Sequence, residues 1–256
     1  MRLTIVGCSG SYPGPESAAS CYLVESEHAG RTWRILLDLG NGALGQLHHY
    51  ADPLGIDAVF VSHLHADHCL DLCGYYVMRK YHPTGPQPRM PVWGPDGTAE
   101  RMARAYDLPE QPGMTEEFAF MTYSSMAYGD PVELGPFRIE AHPVVHPVAA
   151  FALRVTADGR TLVYSGDTGP CPALDEAAAD AHLLLAEASF ESATDNPPDL
   201  HLTGADCGRT ASKARVERLV LTHIPPWHDP AVAEAEARAE WSGPVEVARA
   251  GATYEV

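Results

Sequence analysis

The chain has 256 residues, 45% of them hydrophobic and 20% charged, and its 34 Asp and Glu against 17 Lys and Arg leave a net charge of −17 with the 13 histidines taken as neutral. That length can bury a full core, so residues 1–256 are expected to fold as one unit, while the negative field and the lack of any Lys/Arg run argue against extended nucleic acid as a partner. The six cysteines form no Cys-x-x-Cys pair, which excludes a zinc ribbon or redox motif. With neither an export signal nor an apolar run long enough to span a bilayer, the expectation is a cytoplasmic protein with reduced, mostly buried thiols and no membrane.

Segment 3–8 reads as a first strand, closed by a Gly- and Pro-rich loop reaching Pro15. Strands at 20–25 and 32–38 follow, the second ending in Asp38-Leu39-Gly40-Asn41-Gly42. Asp38 fits two readings equally, support for metal ligands from behind and the turn chemistry of an Asp before glycines. A helix is predicted over 43–50, and then the short apolar strand 59–61 stops at His63-x-His65-x-Asp67-His68. Three imidazoles and a carboxylate crowded at the end of a buried strand call for a divalent metal. Alternation along an extended chain points His63 and His65 the same way, and a helix starting near residue 66 swings Asp67 and His68 into the same volume. Four ligands from so short a segment exceed what one metal with an open position uses, so two adjacent cations are expected.

Apolar spacing carries that helix from 67 to 81, with Tyr75, Tyr76 and Tyr81 spaced for core packing rather than for a pocket wall. A surface loop over 83–91, a short strand at 91–93 and a helix over 98–106 come next, whereas 111–128 carries no clear period. Strands are predicted at 137–146 and 150–156, then an Asp158-Gly159 hairpin into a strand at 161–165 that ends in Gly166-Asp167-Thr168-Gly169. A helix at 173–179, a buried strand at 183–188, a helix to 214 opened by the capping pair Thr203 and Asp206, a strand at 216–222 ending in His223-Ile224-Pro225-Pro226, a helix at 231–241 and two short strands complete the chain.

His146, Asp167 and His223 therefore stand at strand ends followed by glycine or proline, where a loop projects a single side chain. A carboxylate such as Asp167 can bridge two cations about 3.5 Å apart. His142 competes with His146, four positions away on the same predicted strand, and spacing does not separate them.

The motif at 63–68, His146, Ser165-Gly166-Asp167-Thr168 and Leu221-Thr222-His223 resemble the signature segments of the metallo-β-lactamase superfamily, in order and across nearly the whole chain. The resemblance implies an α/β fold, a four-layer αβ/βα sandwich with two sheets back to back and a dinuclear site at one edge. It implies His63, His65 and His146 on one metal, Asp67, His68 and His223 on the other, and Asp167 between them, which selects His146 over His142. The Gly7 to Ser11 loop, Glu187-Ala188-Ser189-Phe190 and His201-Leu202-Thr203 resemble the RNase Z-like phosphodiesterase branch, where a histidine matching His201 contacts the phosphate and Glu187 would support the centre from behind. The tRNA-processing members carry a long basic arm between the third ligand and the bridging aspartate. Here only 21 positions separate His146 from Asp167. Segments 63–72, 164–169, 197–202 and 220–227 are similar to actinobacterial atypical class II cyclic-nucleotide phosphodiesterases.

The resulting expectation is a metal-dependent phosphodiesterase for a small anionic phosphodiester, 3′,5′-cyclic AMP or a related cyclic nucleotide, using two divalent cations, Zn²⁺ or alternatively Mn²⁺. A metal-bridging hydroxide would attack phosphorus in line, with Asp67 and His201 as the catalytic side chains. His201 and Trp227 would touch substrate, Trp227 as a stacking wall for a base. An RNA 3′-end endonuclease, and a lactonase, thioesterase or β-lactamase, are the alternatives, and a homodimer is kept open.

Overall fold

The computed structural model describes residues 1–123 and 130–256. The first half gives β1 (Arg2–Ser9), β2 (Ala18–Ala19), β3 (Cys21–His28), β4 (Arg31–Leu37), helix α1 (Ala43–Leu47), β5 (Ala58–Phe60), α2 (Ala66–Cys69), α3 (Leu72–Lys80), β6 (Met90–Gly94), α4 (Thr98–Ala105) and β7 (Phe118–Thr122). The second half gives β8 (Val132–Leu134), β9 (Phe137–Pro143), β10 (Phe151–Ala157), β11 (Arg160–Tyr164), α5 (Pro172–Ala178), β12 (Leu183–Glu187), α6 (Gly204–Ala214), β13 (Leu219–Thr222), α7 (Pro230–Glu240), β14 (Val245–Val247) and β15 (Thr253–Glu255).

Two mixed sheets form among the described residues, in the orders β15-β1-β3-β4-β5-β6-β7, with β2 beside β1, and β14-β13-β12-β11-β10-β9-β8. Each is antiparallel in one part and parallel in the other, the parallel strands being β4 to β7 and β11 to β14. Parallel strands are buried on both faces, which is why β5 reads AVF and β12 LLLAE rather than alternating with polar residues. The period of two then sorts them: Phe60 and Leu185 point into an inner core with Tyr22, Phe137 and Leu162, whereas Val59 packs outward against Leu72 and Tyr75, and Leu184 against Ala211 and Ala237. Three apolar layers hold four layers of structure, the expected α/β sandwich.

The structure corrects several expected elements. The helix over 67–81 is two helices, because Leu39 intervenes at the join: its N–H donates to the His68 carbonyl and its own carbonyl accepts from Asp71 N–H. The strand 59–61 ends at Phe60, so His63 and His65 stand on a loop rather than on alternate strand positions. The strand over 137–146 stops at Pro143, which puts His142 on β9 and His146 in the loop beyond it, and the claim that the two share a face falls. Helix α1 ends at Leu47, and β13 begins at Leu219, after Arg215 closes α6 with a left-handed φ of 56°. Within the unread stretch the structure shows β7; residues 124–129 of it lie outside the described set. Strand β8 was not expected. Among the described residues, no helix is long and apolar enough to cross a membrane.

Candidate metal centre

The carboxyl ends of β4, β5, β11, β12 and β13 deliver the polar side chains, as open α/β sheets generally do. His63 and His65 follow β5, Asp67 and His68 lie in α2, Asp167 follows β11, His201 lies between β12 and α6, and His223 follows β13. Two loops are pressed against this centre. A Cβ on Gly40 would lie 1.9 Å from the Asp67 carbonyl oxygen, and one on Gly10 2.3 Å from that of His223, so both positions require glycine. His223 itself sits at φ 53°, a left-handed conformation held by the surrounding contacts.

Among the described residues, seven candidate ligands converge into two sets, His63, His65 and His146 with Asp167, and Asp67 with His68 and His223, and a third group joins Asp167 and His223 to His201. In the first, His65 Nδ1 lies 3.0 Å from His63 Nε2 and 3.2 Å from His146 Nε2. In the second, His223 Nε2 lies 3.0 Å from His68 Nε2 and 3.1 Å from Asp67 Oδ2. Nitrogens bound at about 2.0–2.1 Å in a tetrahedron stand roughly 3.3 Å apart, so these spacings are those of ligands around a common ion. Asp167 Oδ2 stands between the sets, 3.3 Å from His68 Nε2, 3.5 Å from His223 Nε2 and 3.7 Å from His63 Nε2. Its Oδ1 is buried with no hydrogen-bond partner, a costly arrangement that a cation relieves. On these observations the residues fit a divalent metal.

Burial and neighbouring charge set the ionisation of each group. Burial holds the imidazoles of His63, His65 and His146 below their ordinary value, which keeps them neutral and able to ligate. Burial would raise the Asp67 and Asp167 carboxyls, but neighbouring imidazoles outweigh it and both stay ionised. Burial opposes charge on His68 too, and there Asp167 and Asp38 outweigh it, raising that imidazole.

Behind the ligands stands a set of orienting hydrogen bonds that fixes which ring nitrogen faces the centre. Asp38, fully buried at φ 61°, accepts from His68 Nδ1 at 2.7 Å, from Tyr164 Oη and Ser62 Oγ at 2.8 Å each, and from the Ser62 N–H at 2.6 Å. Asp38 thus hydrogen-bonds His68 from behind while its own backbone is left-handed just before the turn at Asn41-Gly42. Ser189 Oγ accepts from His223 Nδ1 and donates to the His223 carbonyl, each at 2.8 Å. His146 Nδ1 donates to the Leu200 carbonyl at 2.9 Å. Sequence reasoning assigned no role to Ser62, Tyr164, Ser189 or the Leu200 carbonyl; Tyr164, Ser189 and Leu200 lay inside the quoted segments 164–169, 187–190 and 197–202, whereas Ser62 carried no signal.

Glu187, fully buried, accepts from His201 Nδ1 at 2.9 Å, from Thr168 N–H at 3.0 Å and from Ser189 N–H at 3.1 Å. His201 Nδ1 lies 3.9 Å from Asp167 Oδ2, and its ring is 5.5 Å from that of His146 and 5.9 Å from that of His223. Burial lowers this imidazole, but Glu187 overrides it and raises His201 to about 9. The structure thus brings together all the candidate ligands with His201, Glu187 and Asp38. Trp227 is exposed on the loop four residues beyond His223. His142 joins neither set. Tyr75 and Tyr76 are in the outer core, and Tyr81 is exposed.

The fold and the centre define a metallo-hydrolase of the beta-lactamase superfamily: residues 33–224 match the family described as the beta-lactamase superfamily domain, and the chain belongs to it. An uncharacterised protein of Mycobacterium leprae is 44% identical over all of this chain and 89% of its own length. The crystal structure of the metallo-beta-lactamase fold protein YhfI from Bacillus subtilis is similar with a TM-score of 0.86 at 27% identity, covering 99% of each chain. Ribonuclease Z of Myxococcus xanthus is 29% identical, with 100% of this chain and 98% of that protein aligned over 314 positions. The family implies a divalent metal, and the His and Asp groups described above are there to receive it.

Proposed function

We propose that this chain hydrolyses a small phosphodiester, 3′,5′-cyclic AMP or a related cyclic nucleotide, with two divalent cations, zinc or manganese, held by His63, His65, His146, Asp167, Asp67, His68 and His223. The observation that carries the proposal is the His201–Glu187 pair beside Asp167, because a second proton-carrying group next to a ligand cluster suits ester cleavage and has no use in a purely structural metal site. Bound there, the cations would supply Lewis acidity and an acidified water. The protein's own part is proton placement. With Nδ1–H donated to Glu187, His201 keeps Nε2 for the substrate, and a proton at Nε2 passes to the departing 3′ oxygen as its bond to phosphorus breaks. Asp67 and Asp167 stay ionised beside the Nε2 atoms of His68 and His223, which Asp38 and Ser189 hold in place through Nδ1.

Two features support a small substrate. The interval between His146 and Asp167 is filled by β10, a two-residue turn and β11, which leaves no length for a substrate-gripping arm, and the net charge of −17 repels a polyanion. The similarity to a ribonuclease Z makes RNA 3′-end cleavage the competing reading. Metal-loaded protein should turn over cyclic AMP and bis(p-nitrophenyl) phosphate but not a tRNA precursor or nitrocefin, and Asp167→Ala should abolish turnover. Cleavage of the tRNA precursor in preference to cyclic AMP overturns the proposal, as does nitrocefin hydrolysis alone.

A further inference from the structure

Among the described residues, seven large hydrophobic side chains stay exposed, and four of them, Tyr12, Val145, Val148 and Trp227, lie on loops that carry or touch candidate ligands. Val145 and Val148 bracket His146, Trp227 follows His223 by four positions, and Tyr12 belongs to the β1–β2 loop whose Gly10 lies against His223. Single exposed hydrophobics are ordinary, but their concentration around one centre marks a binding mouth.

Tyr12 and Trp227 also form a pair. Their ring centroids are 5.5 Å apart at 37°, although Tyr12 is 45% and Trp227 60% exposed. The supporting loops are tied rather than loose. Gly10 N–H donates to the Ile224 carbonyl at 3.2 Å, and Ser9 Oγ to the Tyr12 carbonyl at 2.7 Å. On the other loop, His228 N–H closes a turn onto the Pro225 carbonyl at 3.0 Å, and His228 Nδ1 donates to Glu191 at 2.9 Å. Two aromatic faces held ready in solvent at a fixed place lose little entropy when a flat partner covers them. Four residues reach at most about 14 Å from His223, and the turn that His228 N–H closes onto the Pro225 carbonyl keeps Trp227 nearer than that.

We propose that Tyr12 and Trp227 form a stacking ledge for the aromatic base of a nucleotide whose phosphate lies at the metal centre, and that this ledge sets the preference for base-bearing substrates. The inference rests on the phosphodiesterase reading only in assigning the phosphate to that centre. The two rings act as one surface, Tyr12 backing Trp227, so loss of either weakens stacking.

The test is binding of AMP and of ribose 5-phosphate, which lacks the base, to the metal-loaded full chain by calorimetry. The parent should prefer AMP by about tenfold or more, the scale of one base stacked on an aromatic ring. Trp227→Ala and Tyr12→Ala should each bring that ratio towards one, Trp227→Phe should keep most of it, and Tyr81→Ala, an exposed tyrosine beyond α3, should leave it unchanged. A parent without preference overturns the ledge, and so do folded Ala variants, with parental circular dichroism and metal content, that keep the parental ratio. Turnover of cyclic AMP by the same proteins separates the two proposals. A parent that prefers AMP but leaves cyclic AMP intact keeps the ledge and removes the hydrolysis, whereas cyclic AMP turnover with unchanged ratios in both Ala variants removes the ledge alone.

Discussion

His201 owes its place to one buried carboxylate. Glu187 spends both oxygens on fixed donors, Thr168 N–H, Ser189 N–H and His201 Nδ1, so the imidazole is held in one orientation beside Asp167. Replacing His201 by Asn should lower kcat about 10²- to 10⁴-fold, the usual contribution of a positioned proton donor, with metal content unchanged by elemental analysis. Ser189→Ala removes the hydroxyl that orients His223 and should weaken metal binding about tenfold, measured by competition with a chelating dye. His142, the competitor that the centre does not use, has its own signature. Burial lowers its imidazole below the ordinary 6.5, so the unfolded chain takes up the proton first as pH falls. The stability present above about pH 6.5 is then lost from that point down to the lower native value. His142→Gln should flatten that part of the melting-temperature profile between pH 7 and 5, read against the parent.

Each ligand arrives on an element whose end is set by local chemistry. Thr203 caps α6 in a reciprocal capping box, its Oγ1 accepting from Asp206 N–H at 3.1 Å while Asp206 Oδ2 accepts from Thr203 N–H at 3.0 Å. This cap begins two residues after His201 and anchors the loop that carries it. Thr203→Ala should cost about 1 kcal/mol and lower the melting temperature by roughly 2–4 °C for a chain of this size. The cap was legible because Thr203 and Asp206, a hydroxyl and a carboxylate three apart, stand just before a run with helical apolar spacing. The break between α2 and α3 was not, because the apolar spacing runs straight through Leu70 and Asp71, and only the hydrogen bonds from Leu39, a neighbour in space, divide the helix. The end of β9 at Pro143 was misjudged for a related reason: pattern alone carried the strand past a proline that cannot continue the ladder.

At the scale of the whole molecule, both sheets face one inner core and send their parallel strand ends to one edge, where a bound cation would offset carboxylates that are already ionised. Ligands that bind only the native arrangement stabilise it, by about 4 kcal/mol at a free concentration a thousandfold above the dissociation constant. Stripping the metal with a chelator should therefore lower the melting temperature by roughly 10 °C, and adding zinc or manganese back should restore it; an unchanged melt would show that the centre holds no metal.

The sequence by itself displayed the candidate ligands and their order, because ligand chemistry is a local property of a linear chain, whereas the sandwich and the choice of His146 over His142 followed from the resemblance of those segments to the superfamily. Tertiary structure alone decided which ring nitrogen each histidine presents, that Asp38 reaches His68 across thirty positions, that Ser189 and Tyr164 stand behind the centre, and that Tyr12 meets Trp227. Those facts are distances between segments far apart in the chain, and such distances are set only when the two sheets close on their shared core.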